Sequence, residues 1–223
     1  MIKRLGRLLA IPGVLLGATL ATPRAAGAQA KFEVTPFLGS FYALAKLCTD
    51  CNANNDGSNF EGRQLNSAVF GGRLSYWVSR TIGVEAAFGY TPSRVEERED
   101  LAQPGFSQAV SATGTIMMVN GRLLFRPART NLHFILGGGI VSRSGELWKL
   151  LKDNQGTKLT SVGGVLGMGV RASVTPRFSL NISAEANLYS FDPTFGVGAD
   201  PSNGSQLQAD LLVSVGVPIA LSR

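Results

Sequence analysis

From Phe178 to Leu188 the chain alternates without a break between apolar and polar residues. Phe178, Leu180, Ile182, Ala184, Ala186 and Leu188 fall on one side; Ser179, Asn181, Ser183, Glu185 and Asn187 fall on the other. A period of two marks a β-strand with two unlike faces. The polar face is small and carries a single charge, where a sheet facing water would carry Lys and Glu. A strand of about ten residues, apolar outward and polar inward, is what a membrane-spanning barrel requires.

The same rhythm predicts eight strands in all, at 32–43, 66–78, 81–91, 108–126, 131–143, 159–175, 177–190 and 206–219. Tight turns at Ser79-Arg80, Pro127–Thr130 and Thr175-Pro176 join the second to the third, the fourth to the fifth and the sixth to the seventh. The other connections, near 44–65, 92–107, 144–158 and 191–205, are long and rich in Asn, Asp, Gly, Ser and Pro, and are read as loops. Short turns at one rim and long loops at the other, with an even strand number, fit an antiparallel up-and-down transmembrane barrel. The expected fold is therefore all-β, with one barrel domain over 31–223.

Carrying the phase through the strands sorts the charges. In the third, Ile82, Val84, Ala86, Phe88 and Tyr90 oppose Gly83, Glu85, Ala87 and Gly89. In the sixth, Val162, Leu166, Met168 and Val170 oppose Gly163, Gly167, Gly169 and Arg171; in the eighth, Ala209, Leu211, Val213, Val215 and Val217 oppose Gln208, Asp210, Ser214 and Gly216. Arg73, Glu85, Arg122, Arg171, Glu185 and Asp210 all take the small-residue side, and Glu33 joins them from the turn end. A charge facing lipid at mid-membrane costs roughly 2–4 kcal/mol, so these residues are expected in the lumen as a paired network. Arg73, Arg122 and Arg171 recur at 49-residue intervals, each one or two positions after a Gly. Eight strands enclose only enough room for side chains, so the lumen should be filled rather than open. Aromatic residues at the rims, Tyr76, Trp77, Phe125 and Phe178 near the turns and Tyr42, Tyr90 and Tyr189 near the loops, are expected to form interfacial girdles.

Composition agrees once the N-terminus is set apart. Lys3, Arg4 and Arg7 precede an apolar run over Leu8–Leu20, and small residues lead to Ala28-Gln29-Ala30. This is the pattern of a secretory signal peptide over 1–30, with cleavage expected before Lys31. Four of the 21 basic residues lie in it and no acid does, leaving 17 basic against 15 acidic residues. A nearly neutral mature chain gives no reason to expect nucleic-acid binding. No later apolar run approaches the length of a membrane helix. A lipocalin-like soluble barrel, apolar inside and charged outside, would need the opposite arrangement of faces.

With Glu33-Val34-Thr35-Pro36-Phe37-Leu38-Gly39 as opening strand, the hairpin rhythm and the interior charges, the chain resembles the small eight-stranded outer-membrane barrels. That group includes the OmpA transmembrane domain, OmpX and OmpW, and the resemblance runs over essentially the whole mature chain. It implies a Gram-negative-type outer membrane, contact with its lipid, insertion by the assembly machinery, and roles in adhesion, envelope integrity or passage of small or hydrophobic molecules. Two departures stand out: the chain ends Pro218-Ile219-Ala220-Leu221-Ser222-Arg223 rather than on an aromatic, and no peptidoglycan-binding segment follows the last strand.

Candidate chemistry is sparse. Cys48 and Cys51 form a Cys-x-x-Cys in the first long loop, expected to close as a local disulfide in an oxidising envelope, with free thiols or a metal or redox site as alternatives. Asp50, Asn52 and Asn54 imitate the start of a calcium loop, but Asn55 replaces the needed Gly and no Glu closes it. Arg94–Asp100 reads as a solvated loop run. The lone His133 follows the Pro127–Thr130 turn, at the end opposite to the surface where barrel enzymes of this class act, so it is read as structural. No catalytic residue, cofactor or metal is assigned. The leading expectation is a non-enzymatic barrel with a filled lumen whose long loops meet a surface partner or support the envelope; the alternative is a narrow conduit for small or hydrophobic molecules.

Overall fold

The structure, a computed structural model, describes residues 32–45, 48–52, 59–100, 107–145, 148, 159–175, 178–191 and 206–221; at 48–52, 59–63, 95–100, 107–112 and 206 it describes the backbone. The strands are β1 (Phe32–Ala43), β2 (Cys48–Asn52), β3 (Asn59–Gln64), β4 (Ser67–Trp77), β5 (Ile82–Asp100), β6 (Ser107–Phe125), β7 (Leu132–Ser144), β8 (Thr160–Thr175), β9 (Phe178–Phe191), β10 (Gln206–Gly216) and β11 (Ile219–Ala220).

β1 and β4 to β10 close a cylinder. Each pairs antiparallel with the next, and β1 takes β4 on one side and β10 on the other. β11 keeps the register of β10 against β1, with Phe37 opposite Gly216 and Val34 opposite Ile219. The two are one strand interrupted at Pro218, which has no N–H to give. The eight predicted strands thus form the predicted antiparallel barrel. The turns are tight: Ser79 N–H donates to the Ile82 carbonyl at 3.0 Å, and Thr130 N–H to the Pro127 carbonyl at 3.3 Å.

The outer face is apolar on every barrel strand. Leu38, Phe70, Val84, Phe88, Val119, Leu123, Leu136, Ile140, Val162, Leu166 and Leu188 are exposed, Val162 by 76%. A band of that size has no place in water and fits acyl chains, so the barrel spans a membrane. Among the described residues no helix is long and apolar enough to cross one.

Two connections differ from the expectation of plain loops. The segment 44–65 contains β2 and β3, and most of 92–107 is strand, including the whole of Arg94–Asp100. β4 leaves β5 at the Phe70–Tyr90 pair, yet β5 continues ten residues further, to Asp100. β6 pairs with it throughout, and β3 and then β2 add on its other side. The result is a four-stranded sheet rising from one wall, roughly 30 Å beyond the last β4 contact at about 3.3 Å per residue. Its register sets Arg63 opposite Glu96 and Glu61 opposite Arg98. In register, the charged run is thus a strand whose facing positions carry opposite formal charges.

Two girdle assignments are also corrected. Trp77 and Tyr189 are 6% and 2% exposed and lie inside the barrel, because alternation along β4 and β9 puts both on the inner face. Phe125 and Phe178 are exposed on the outside, and Tyr76 and Tyr90 stack against Phe32 and Phe70 with ring centroids 4.7 and 5.1 Å apart.

Candidate functional site in the barrel lumen

The inner faces of the strands bring their polar residues into two tiers. In the lower one, toward the turns, Glu185 of β9 is fully buried and meets guanidiniums from two other strands. Arg73 of β4 lies 2.9 Å from its Oε1 and Arg122 of β6 2.8 Å from its Oε2. Arg73 also donates to the Ser183 and Ser214 hydroxyls. Glu85 lies 3.4 Å from Arg122 and accepts from the Ser75 hydroxyl at 2.6 Å. Nearer the turns, Glu33 takes Arg171 at 2.9 Å and the indole N–H of Trp77 at 3.2 Å.

Six of the seven charges named from the sequence therefore share the turn-side end of the lumen, in two separate groups. Asp210 stands apart: it accepts from the Tyr189 hydroxyl, which in turn accepts from Arg143 at 2.6 Å. Arg143, 1% exposed, is the functional-looking residue that the sequence reading passed over. The parity of the fifth predicted strand, in which His133, Ile135, Gly137, Gly139, Val141 and Arg143 share a face, was the signal that could have found it. His133 is buried on that face at the turn end, with its ring against the inner side of Gly169. Arg126, in the turn after β6, stacks 4.1 Å over Trp77; burial, then the nearby Arg171, lower its pKa to about 10 while Glu33 opposes them, so it stays charged near neutrality.

Room is scarce at the turn end. Among Glu33, Trp77, Arg126, His133, Arg171 and Asn181 the free space is about 10 Å³, one water at most. Toward the loops Phe37, Phe41, Val69, Ile116, Met118, Val141, Tyr189, Phe191 and Leu212 form an apolar plug. Trp148, from the connection after β7, caps it: fully buried, edge-on to Phe191 at 6.1 Å. Nothing in the sequence pattern announced that residue, since it lies outside any alternating segment. Glycines make the packing possible; a Cβ on Gly163 would sit 2.6 Å from that of Tyr189.

No group of His, Cys, Asp or Glu among the described residues could hold a metal ion. The side chains of Cys48 and Cys51, of Asp50 and Asn52, and the signal-like residues 1–30 lie outside the described residues.

Solved membrane barrels share this fold. Outer membrane protein AlkL, solved in DMPC lipid bilayers, superposes with a TM-score of 0.53 over 91% of this chain and 97% of its own, at 15% identity. The chain has the fold of the small eight-stranded outer-membrane barrels. Neisserial surface protein A matches with a TM-score of 0.50 over 88% of this chain and all of its own, at 11% identity. Outer membrane protein OprG of Pseudomonas aeruginosa matches over 86% and 97%, at 12% identity and a TM-score of 0.47. No protein-family model matches the chain, and no curated protein does.

Proposed function

We propose that the chain, freed of residues 1–30, is a non-enzymatic barrel in the outer membrane of a Gram-negative-type bacterium, using its projecting sheet in surface interaction or envelope stability. The observation that carries this reading is the contrast between the barrel's inside and its rim. The lumen is packed from the Glu33–Arg171 pair up to Trp148, whereas β2, β3 and the outer halves of β5 and β6 build structure that spanning the membrane does not need. A side-chain-filled cylinder of eight strands leaves no aqueous path. Catalysis finds no support in the lumen, where the lone His133 is packed at the turn end.

The test has two arms. Purified protein in planar bilayers should show no unitary conductance steps; reproducible steps would favour a narrow conduit instead. Replacing 94–113 by a short turn should leave a barrel that still shifts on gels with heating, while cells producing it lose autoaggregation or gain detergent sensitivity relative to the parent. Unchanged behaviour in both cell assays would remove the projecting sheet from the function.

A further inference from the structure

We propose that the loop-side mouth of the lumen binds a small monovalent anion, a halide or a carboxylate, between the Arg143 guanidinium, the Trp148 indole N–H and the Ser93 hydroxyl. Three neighbouring strands bring these groups together. Ser93 of β5 stands directly opposite Gly114 of β6. A Cβ on Gly114 would sit 2.6 Å from Nε1 of Trp148, so the indole N–H lies against that glycine's inner face. Arg143 of β7 faces Ile116, two residues along β6 from Gly114 and on the same side of the sheet, and its guanidinium is 5.5 Å from the Trp148 ring.

All three are deeply buried, at 1%, 0% and 2% exposure for Arg143, Trp148 and Ser93. Arg143 uses one nitrogen, Nη2, on the Tyr189 hydroxyl. Its Nε and Nη1, the Trp148 Nε1 and the Ser93 Oγ have no hydrogen-bond partner among the described residues, and Nε2 of Gln64, on the adjoining strand β3, has none either. Leaving such groups unmet in the interior costs free energy, more so when the donor is charged.

The imbalance has a direction. Four of these five atoms are N–H groups that can only donate, and the fifth is a hydroxyl that can do either. Among the described residues no carboxylate lies within ion-pairing distance of Arg143; Asp210 reaches it only through the Tyr189 phenol. Trp148, Tyr189 and Phe191 offer ring faces to the cation, at 5.5, 5.0 and 4.2 Å, but no lone pair to its N–H groups. A water brings two lone pairs but also two O–H donors of its own, and it leaves the guanidinium charge unbalanced. An anion brings acceptors alone and balances the guanidinium charge.

The chain has two tryptophans, so Trp77→Phe makes Trp148 the sole indole reporter. In lipid vesicles at constant ionic strength, iodide should quench this protein's emission saturably, and chloride should restore it. Acetate as a second competitor separates the two ligand sources: restoration by chloride alone assigns a halide site, and restoration by both admits a carboxylate. Arg143→Gln in the same background should weaken iodide binding about tenfold or more, as expected for loss of a charged donor. Ser93→Ala, which keeps the cation and its ring contacts, should weaken it less; it decides the matter should Arg143→Gln fail to give a heat-modifiable barrel. Quenching that is absent, strictly linear in iodide, or unmoved by either competitor or by the substitutions overturns the proposal.

Discussion

Glu185 answers to two guanidiniums at once; without it, among the described residues, Arg73 keeps only the Ser183 and Ser214 hydroxyls as acceptors and Arg122 only its longer contact to Glu85. Removing one partner of a buried pair strands the other charge, typically at a cost of about 3–5 kcal/mol. Glu185→Gln should therefore lower stability by about that amount, measured as the shift in urea midpoint for the barrel folded in lipid vesicles. A loss below about 1 kcal/mol would mean that water reaches Arg73 and Arg122. Two glycines offer a contrast of another kind. A Cβ on Gly137, on the inner face, would sit 2.2 Å from the Gly121 carbonyl oxygen, whereas one on Gly121 meets nothing within 4 Å. Gly137→Ala should lower the yield of folded barrel sharply. Gly121→Ala should be neutral or stabilise by about 0.5–1 kcal/mol, as glycine in a strand interior generally costs that much relative to alanine.

At the scale of the element, each barrel strand has a lipid side and a lumen side, and the two tolerate opposite substitutions. Leu136 of β7 is exposed on the outer band, while Ile135 beside it is buried within. Leu136→Arg should destabilise by roughly 2–4 kcal/mol in bilayers, the penalty for a cation at mid-membrane; a neutral result in the same urea assay would place that position outside the hydrocarbon. This two-sidedness is why the strands were legible in the sequence. Alternation such as Phe178–Leu188 has to persist wherever one face meets lipid and the other a crowded interior. Where the chain leaves the membrane that demand lapses. Arg94–Asp100 then looks like any solvated charged run, and only the pairing of Glu96 with Arg63 and Arg98 with Glu61 reveals a strand. Trp148 escaped for a related reason: a loop residue folded back into the lumen leaves no periodic trace.

At the scale of the whole molecule, the buried ion pairs act as spokes. Glu185 ties β9 to β4 and β6, and Glu33 ties β1 to β8, so strands distant in sequence are held across the cylinder. The two sets of spokes share no partner, so their contributions should add. Glu33→Gln and Glu185→Gln together should remove nearly the sum of their single effects in the urea assay, since their partners are separate. The final seam is the contact of β1 with β10 and β11, joining Phe37 to Gly216 and Glu33 to Ala220. It follows that the cylinder cannot shut while a ribosome still holds the last part of the chain. A polypeptide of some 180 residues must wait with both seam edges unzipped and its greasy exterior in water, which makes escort by a holding chaperone a need of the topology itself.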